Sequence, residues 1–110
     1  MTDVQDNIDV QDNEQKSRIE ILVDGAVAGF VDYELEPEVI SLTHTEIDGA
    51  YSGRGLAKKL VAGALEQVRS RGLSVRPVCP LVRKTIAEDT EHGYLDLVRL
   101  TDREEFDLPS

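Results

Sequence analysis

The chain has 110 residues, with 12 basic and 22 acidic side chains, a formal charge of −10 and 40% apolar content. That is enough for one small core and not for two. It argues against a general nucleic-acid or anionic-membrane binder, since both attract basic surfaces, and the single Cys79 excludes an internal disulfide framework or a paired-cysteine zinc site. The first ten residues, MTDVQDNIDV, lack the basic and apolar regions of a signal peptide. No apolar run approaches the roughly 18 residues of a spanning helix. The expectation is a soluble, cytoplasmic single domain.

Residues 1–17 hold five acids, one base and a near repeat of Val-Gln-Asp-Asn. Their scant apolar content predicts a disordered acidic tail. Arg18–Val23 alternates, with Ile19, Ile21 and Val23 on one face. Asp24-Gly25 then forms a hairpin signal, and Ala26–Leu35 is the return strand. Glu36-Pro37-Glu38 reads as a turn. Val39–Ile47 is rich in β-branched residues and reads as a third strand. Its alternation places Ile40, Leu42, His44 and Glu46 on one face and Val39, Ser41, Thr43, Thr45 and Ile47 on the other.

The period then changes. Leu56, Ala57, Leu60, Val61, Ala64, Leu65 and Val68 form an apolar helical stripe, predicting a helix from about Ser52 to Arg71 with Gly72 as its stop. Leu73–Cys79 reads as a short strand ended by Pro80. The strand–helix–strand order makes it a parallel neighbour of Val39–Ile47. Leu81–Glu91 reads as a weaker helix, and Tyr94–Leu100 as a last strand. The predicted class is α/β (α+β) in the order β-β-β-α-β-α-β. The domain spans 18–101, and residues 102–110, with four acids and one base, form a second tail.

Charge is segregated. Residues 18–53 carry eight acids against Arg18, whereas residues 54–84 carry eight bases against Glu66. The basic segment opens at Tyr51-Ser52-Gly53-Arg54-Gly55-Leu56-Ala57-Lys58-Lys59, between a strand and a helix. Two glycines there let the backbone approach a ligand closely. The helix N-terminus offers unpaired N–H groups suited to a phosphate, and Arg54, Lys58 and Lys59 add charge. No Gly-Lys-Ser/Thr follows, so this is not a Walker loop. The preceding antiparallel strands and the missing third glycine make it a poor dinucleotide fingerprint.

The same residues resemble the acetyl-CoA-binding motif of the GCN5-related N-acetyltransferases, (Gln/Arg)-x-x-Gly-x-(Gly/Ala), at the same strand-to-helix junction. His44-Thr45-Glu46-Ile47, Arg76-Pro77-Val78-Cys79-Pro80 and Tyr94-Leu95-Asp96-Leu97-Val98 extend the similarity to the small, single-domain YjdJ-like branch, over about residues 18–100. The resemblance implies a minimal fold with a mixed sheet splayed between Val39–Ile47 and Leu73–Cys79. It implies acetyl-CoA as co-substrate, with the pantetheine arm in the split and the pyrophosphate on the Gly53–Ala57 amides. The implied coenzyme-binding residues are Ile47, Tyr51, Ser52, Gly53, Arg54, Gly55, Leu56, Ala57, Lys58 and Lys59. Two departures stand out. Ala50 replaces the first Gln or Arg of the motif. Asp89 stands where larger relatives place a tyrosine ahead of a Gly-Phe pair, here His92-Gly93-Tyr94.

Amine acetylation needs a proton acceptor for the amine and a proton source for the departing thiolate. His44 and Glu46, roughly 6.5–7 Å apart along one strand, are candidates for the first role. Each also fits a half-buried or solvated strand position. Cys79, at a strand end across the split, is a candidate acid or nucleophile, or a small buried hydrophobe. The function this implies is acetyl-CoA-dependent N-acetyl transfer to an unidentified amine. The alternative is a catalytically silent coenzyme-A-binding module acting through a protein partner. The expectation further includes no metal, nucleic-acid or membrane partner, and a monomer or weak homodimer.

Overall fold

A computed structural model describes residues 7–109. One five-stranded sheet runs in chain order, from β1 (Ile8–Asn13) through β2 (Arg18–Val23), β3 (Ala26–Leu35) and β4 (Val39–Ile47) to β5 (Ser74–Pro77). The first four strands pair antiparallel, and β5 pairs parallel to β4. Helix α1 (Leu56–Ser70) makes the crossover, α2 (Pro80–Glu88) follows β5, and a one-turn α3 (Leu100–Arg103) closes the chain. No helix among the described residues is long and apolar enough to cross a membrane.

Local chemistry explains these elements. Asp24 and Gly25 have φ of 51° and 86°, the two left-handed residues that a two-residue hairpin turn requires. Along α1, Leu56, Leu60, Val61, Ala64, Leu65 and Val68 are buried against Ile19, Ile21, Val31, Leu42 and Val75 in one core. Gly72 N–H donates to Arg69 C=O and Leu73 N–H to Val68 C=O, with Gly72 at φ 69°. This is the Schellman ending of a helix. The helix starts at Leu56, later than the expected Ser52, because Gly53 and Gly55 hold left-handed φ of 81° and 72°.

The expected tails differ from the structure. Residues 8–13 form edge strand β1, with Val10 opposite Ile21 and Asp12 opposite Ile19. Val10 lies against Gly63 of α1, and Gln67 donates to Val10 C=O at 3.2 Å. Asp12 accepts from the Tyr33 hydroxyl at 2.7 Å and pairs with Arg71. Burial, then the Asp12 carboxylate, pushes the Tyr33 pKa up to about 12. Ile8 and Val10, packed against the core, and the Asp12 carboxylate with its two partners therefore dock an otherwise polar strand. The remainder of the expected N-terminal tail before residue 7 lies outside the described residues.

At the other end, no final strand forms. Tyr94–Leu97 is a 3-10 turn, and Arg103 donates to the carbonyls of Leu95 and Val98 at 3.0 Å, taking acceptors that a ladder would need. The order is thus β-β-β-β-α-β-α-α, gaining a strand at the start and losing one at the end. Residues 102–108 are packed and do not form a tail. Phe106 and Leu108 are buried, and Arg76 and Arg83 lie 5.3 and 5.6 Å from the Phe106 ring centroid. Buried Asp102 accepts from Arg76 at 3.0 Å and Arg99 at 2.8 Å. Asp102→Ala should lower stability by about 2 kcal/mol, since it removes the buried carboxylate that Arg76 and Arg99 share. Urea denaturation reads this directly, and an unchanged midpoint would mean that the C-terminal strap is not held by these pairs.

Candidate functional site

Strands β4 and β5 share only four register pairs, Val39–Ser74 to Leu42–Pro77. The Cys79 N–H then donates to Leu42 C=O at 2.8 Å, and Pro80 turns the chain into α2, with Cys79 as the residue before the helix. Strand β4 continues from Thr43 to Ile47 with no β5 partner. The two strands therefore fork, and the open edge of β4 lines the gap. At the apex Thr45 Oγ1 and Cys79 Sγ lie 3.2 Å apart. Cys79 is 4% exposed and belongs to the apolar core.

A register break between Asp32 and Tyr33 puts Tyr33 opposite Leu42 and Asp32 opposite His44, leaving Thr43 extra on β4. Such a bulge reverses the side-chain alternation beyond it. His44 and Glu46 pair with Asp32 and Phe30, whereas Thr45 and Ile47 pair with Val31 and Gly29. The expected shared face of Ile40, Leu42, His44 and Glu46 is therefore broken. His44 and Glu46 still share a face with each other, but it is the face away from the core. Their side chains are each 60% exposed, with Nε2 and Oε1 4.0 Å apart. A cleft of about 410 Å³ beside Glu46 is lined by Arg18, Phe30, Ile47 and Asp48.

The β4–α1 junction lies at the open end of the fork. Asp48 caps a short 3-10 turn, Gly49–Tyr51, by accepting from Ala50 N–H at 2.9 Å. Ser52 leads into Gly53 and Gly55, and a Cβ at either glycine would stand in open space. The glycines thus serve backbone direction, and the space in front of them is clear. The α1 amides of Leu56 and Ala57 project from the helix end. Arg54 lies 5.5 Å from the Tyr51 ring centroid, and Lys58 and Lys59 are exposed.

A second cleft, about 510 Å³, runs between α1 and α2. Lys58 and Leu81, near the starts of the two helices, line it, and so do Lys84, Asp89, His92 and Tyr94. Asp89 is the hub of the closing turn. It accepts from Tyr94 N–H at 3.1 Å and His92 N–H at 3.0 Å, and faces His92 Nδ1 at 2.7 Å. Sequence reasoning noticed Asp89 only as a departure and left His92 unassigned; the Asp-x-x-His spacing across a turn was the available signal.

The family whose model matches residues 18–97 is described as GCN5-related N-acetyl-transferase. The chain belongs to that family. Protein NATD1 of Gallus gallus and of Homo sapiens are each 36% identical over 58 residues, 53% of this chain and 53% and 51% of theirs. Protein NATD1 of Danio rerio is 31% identical over 61 residues, 56% of each chain. The chain thus spans about half the length of the curated relatives it matches. Family members generally use acetyl-CoA as co-substrate, which fits a fold whose glycine turn and forked strands lie together.

Burial alone would raise the Asp89 pKa, but the His92 ring and the N–H groups of Tyr94, His92 and Glu91 outweigh it and hold the carboxyl well below the usual carboxylate range. Its ionised form is favoured by folding. The stability this contributes is complete above the ordinary value of 3.8 and is lost as pH falls through the lower folded value. A carboxyl-carbon NMR titration should find Asp89 still ionised at about pH 3, where exposed aspartates are mostly protonated. Titration alongside them would dissolve the hub.

Proposed function

We propose that this chain transfers the acetyl group of acetyl-CoA to an amine. The observation that supports this most is the fork after Leu42 and Pro77, with the Gly53–Gly55 turn at its open end. The coenzyme pyrophosphate lies on the amides of Gly53–Ala57, with Arg54, Lys58 and Lys59 as counter-charges and Tyr51, Ser52 and Leu56 around the turn. Backbone amides and a helix N-terminus take over where Ala50 offers no donor. The pantetheine arm follows the free edge of β4 towards Ile47 and Thr45, and its amides replace the missing β5 ladder.

The acetyl carbonyl then lies towards the apex, near Thr45 and Cys79. The amine approaches from the outer face, where His44 and Glu46 are open to solvent. Its nitrogen attacks the carbonyl carbon, a C–N bond forms, and the C–S bond breaks. The amine proton passes to the His44–Glu46 pair. Cys79 serves the sulfur side, as a proton donor to the thiolate or as a nucleophile that first takes the acetyl group. No metal is needed for either route.

Gly55→Val forces a branched side chain to φ 72° and places it where the phosphate lies. Affinity for acetyl-CoA should fall at least roughly tenfold, about 1.4 kcal/mol, with the fold retained by circular dichroism. Unchanged affinity by calorimetry would remove the coenzyme site from this turn. Turnover with an amine panel distinguishes the enzyme from a silent module, which would bind acetyl-CoA and acetylate nothing.

Cys79→Ala should lower kcat far more than it weakens acetyl-CoA binding. Cys79→Ser should partly restore a proton donor and only poorly replace a nucleophile. Full activity in Cys79→Ala would leave the thiol as a core residue, with solvent protonating the sulfur.

A further inference from the structure

The extra residue at Thr43 brings Thr45 to the core side of β4, opposite Val31. Leu42 and Ile47, its neighbours on that side, are apolar and pack in or against the core. Valine has nearly the shape of threonine and would suit such a place without a polar atom. A hydroxyl kept there needs a partner. Its partner is the Cys79 thiol, with Oγ1 and Sγ 3.2 Å apart.

The two groups differ in what they can reach. Cys79 is 4% exposed and enclosed by the core. Thr45 is half-buried and stands on the stretch of β4 that β5 leaves unpaired. A ligand lying in the fork therefore meets the hydroxyl, with the thiol behind it. A hydroxyl carries one proton and two lone pairs. When the S–H donates to Oγ1, the hydroxyl proton stays available to a group in the gap. Cys79 is also the residue before α2, so negative charge developing on its sulfur meets the positive end of that helix.

We infer that Thr45 hands a proton to the departing coenzyme sulfur, with Cys79 as the proton source behind it. This rests on the acyl-transfer reading above. As the amine nitrogen bonds to the carbonyl carbon, the C–S bond breaks and its electron pair stays on the coenzyme sulfur. The Thr45 O–H proton passes to that sulfur, and the Cys79 S–H proton passes to Oγ1. Water returns a proton to the Cys79 sulfur through Thr45 once the products have left. The acetyl group goes directly to the amine and is never carried on Cys79. Thr45 is then a catalytic residue, and Cys79 acts through it.

Single-turnover acetyl transfer, measured beside calorimetric binding of acetyl-CoA, tests it. Thr45→Val keeps the shape and removes the hydroxyl. It should slow transfer about a hundredfold and leave acetyl-CoA affinity within about twofold of the parent chain. Thr45→Ser keeps the hydroxyl and should recover most of the rate. Two groups acting in series share one loss, so the double variant Thr45→Val, Cys79→Ala should match the slower single variant within about twofold. Amide NMR spectra of each variant check the fold. The inference is overturned if Thr45→Val transfers acetyl at the parent rate, if it loses affinity as much as rate, or if Thr45→Ser is as slow as Thr45→Val. It is also overturned if the single losses multiply in the double variant, or if an acetyl group is trapped on Cys79. In all these cases the parent chain still transfers acetyl, and the acyl-transfer reading stands. A parent chain that binds acetyl-CoA and acetylates no amine would overturn that reading and this inference with it.

Discussion

One hydrogen bond sits at the point where the sheet opens. The Cys79 N–H reaches back to Leu42 C=O at 2.8 Å, closing the parallel pair one step after its last register position. Pro80 then occupies the first turn of α2, where a missing N–H costs nothing, and the chain leaves the sheet. Had β5 continued, its ladder would have covered Thr43–Ile47 and no fork would exist. The edge of β4 thus keeps backbone polar groups next to a gap, and such groups seek partners. A linear ligand carrying amides can satisfy them, much as an added strand would.

The basic run of residues 54–84 has several uses. Arg69 pairs with Glu66 at 3.0 Å and binds the His92 carbonyl. Arg71 is taken by Asp12, and Arg76 by Asp102 and Glu105. Arg83 donates to Val78 C=O at 3.3 Å and lies over Phe106. Arg71, Arg76 and Arg83 hold Asp12 at one end of the described residues and Asp102, Glu105 and Phe106 at the other onto the domain. Lys58, Lys59 and Lys84 remain exposed beside the glycine turn and the cleft. A positive segment inside an acidic protein thus divides into four arginines that build the fold and a second set, Arg54, Lys58, Lys59 and Lys84, that is exposed. Planar, bidentate guanidinium groups suit the ion pairs that build the fold.

Legibility in the sequence followed the range of the interactions. The Asp24-Gly25 hairpin, strand Val39–Ile47, the α1 stripe, the Gly72 stop and the parallel β4–β5 pair all rest on short-range patterns, and the structure reproduces them. Strand β1 rests on Asp12 meeting Tyr33 and Arg71, partners 21 and 59 residues away. Composition cannot register such pairs. The Tyr94–Val98 alternation suited a strand as well as a turn, and Arg103 decided it by taking two carbonyls. The junction loop was legible as a motif, whereas the face of His44 and Glu46 was not. A bulge adds one residue without changing the sequence pattern, so everything after Thr43 was read on the wrong side.

That bulge also makes the site two-sided. Before Thr43, even-numbered β4 residues face the core; beyond it, Thr45 and Ile47 do, and His44 and Glu46 face outward. Core-facing and solvent-facing groups therefore alternate along one short edge. The cleft between the helices lies on one side of the sheet, and the exposed His44 and Glu46 on the other, beside Arg18, Phe30 and Asp48. One short stretch of β4 thus presents side chains to the core on one face of the sheet and to a cleft on the other. With β5 extended, the edge of β4 beyond Leu42 would be paired; without the bulge, His44 and Glu46 would lie among Leu42 and Val31, where two ionisable side chains are costly. The early stop of β5 and the extra residue in β4 act on the same short stretch, Thr43–Ile47: the first leaves its edge without a β5 partner and the second turns His44 and Glu46 outward.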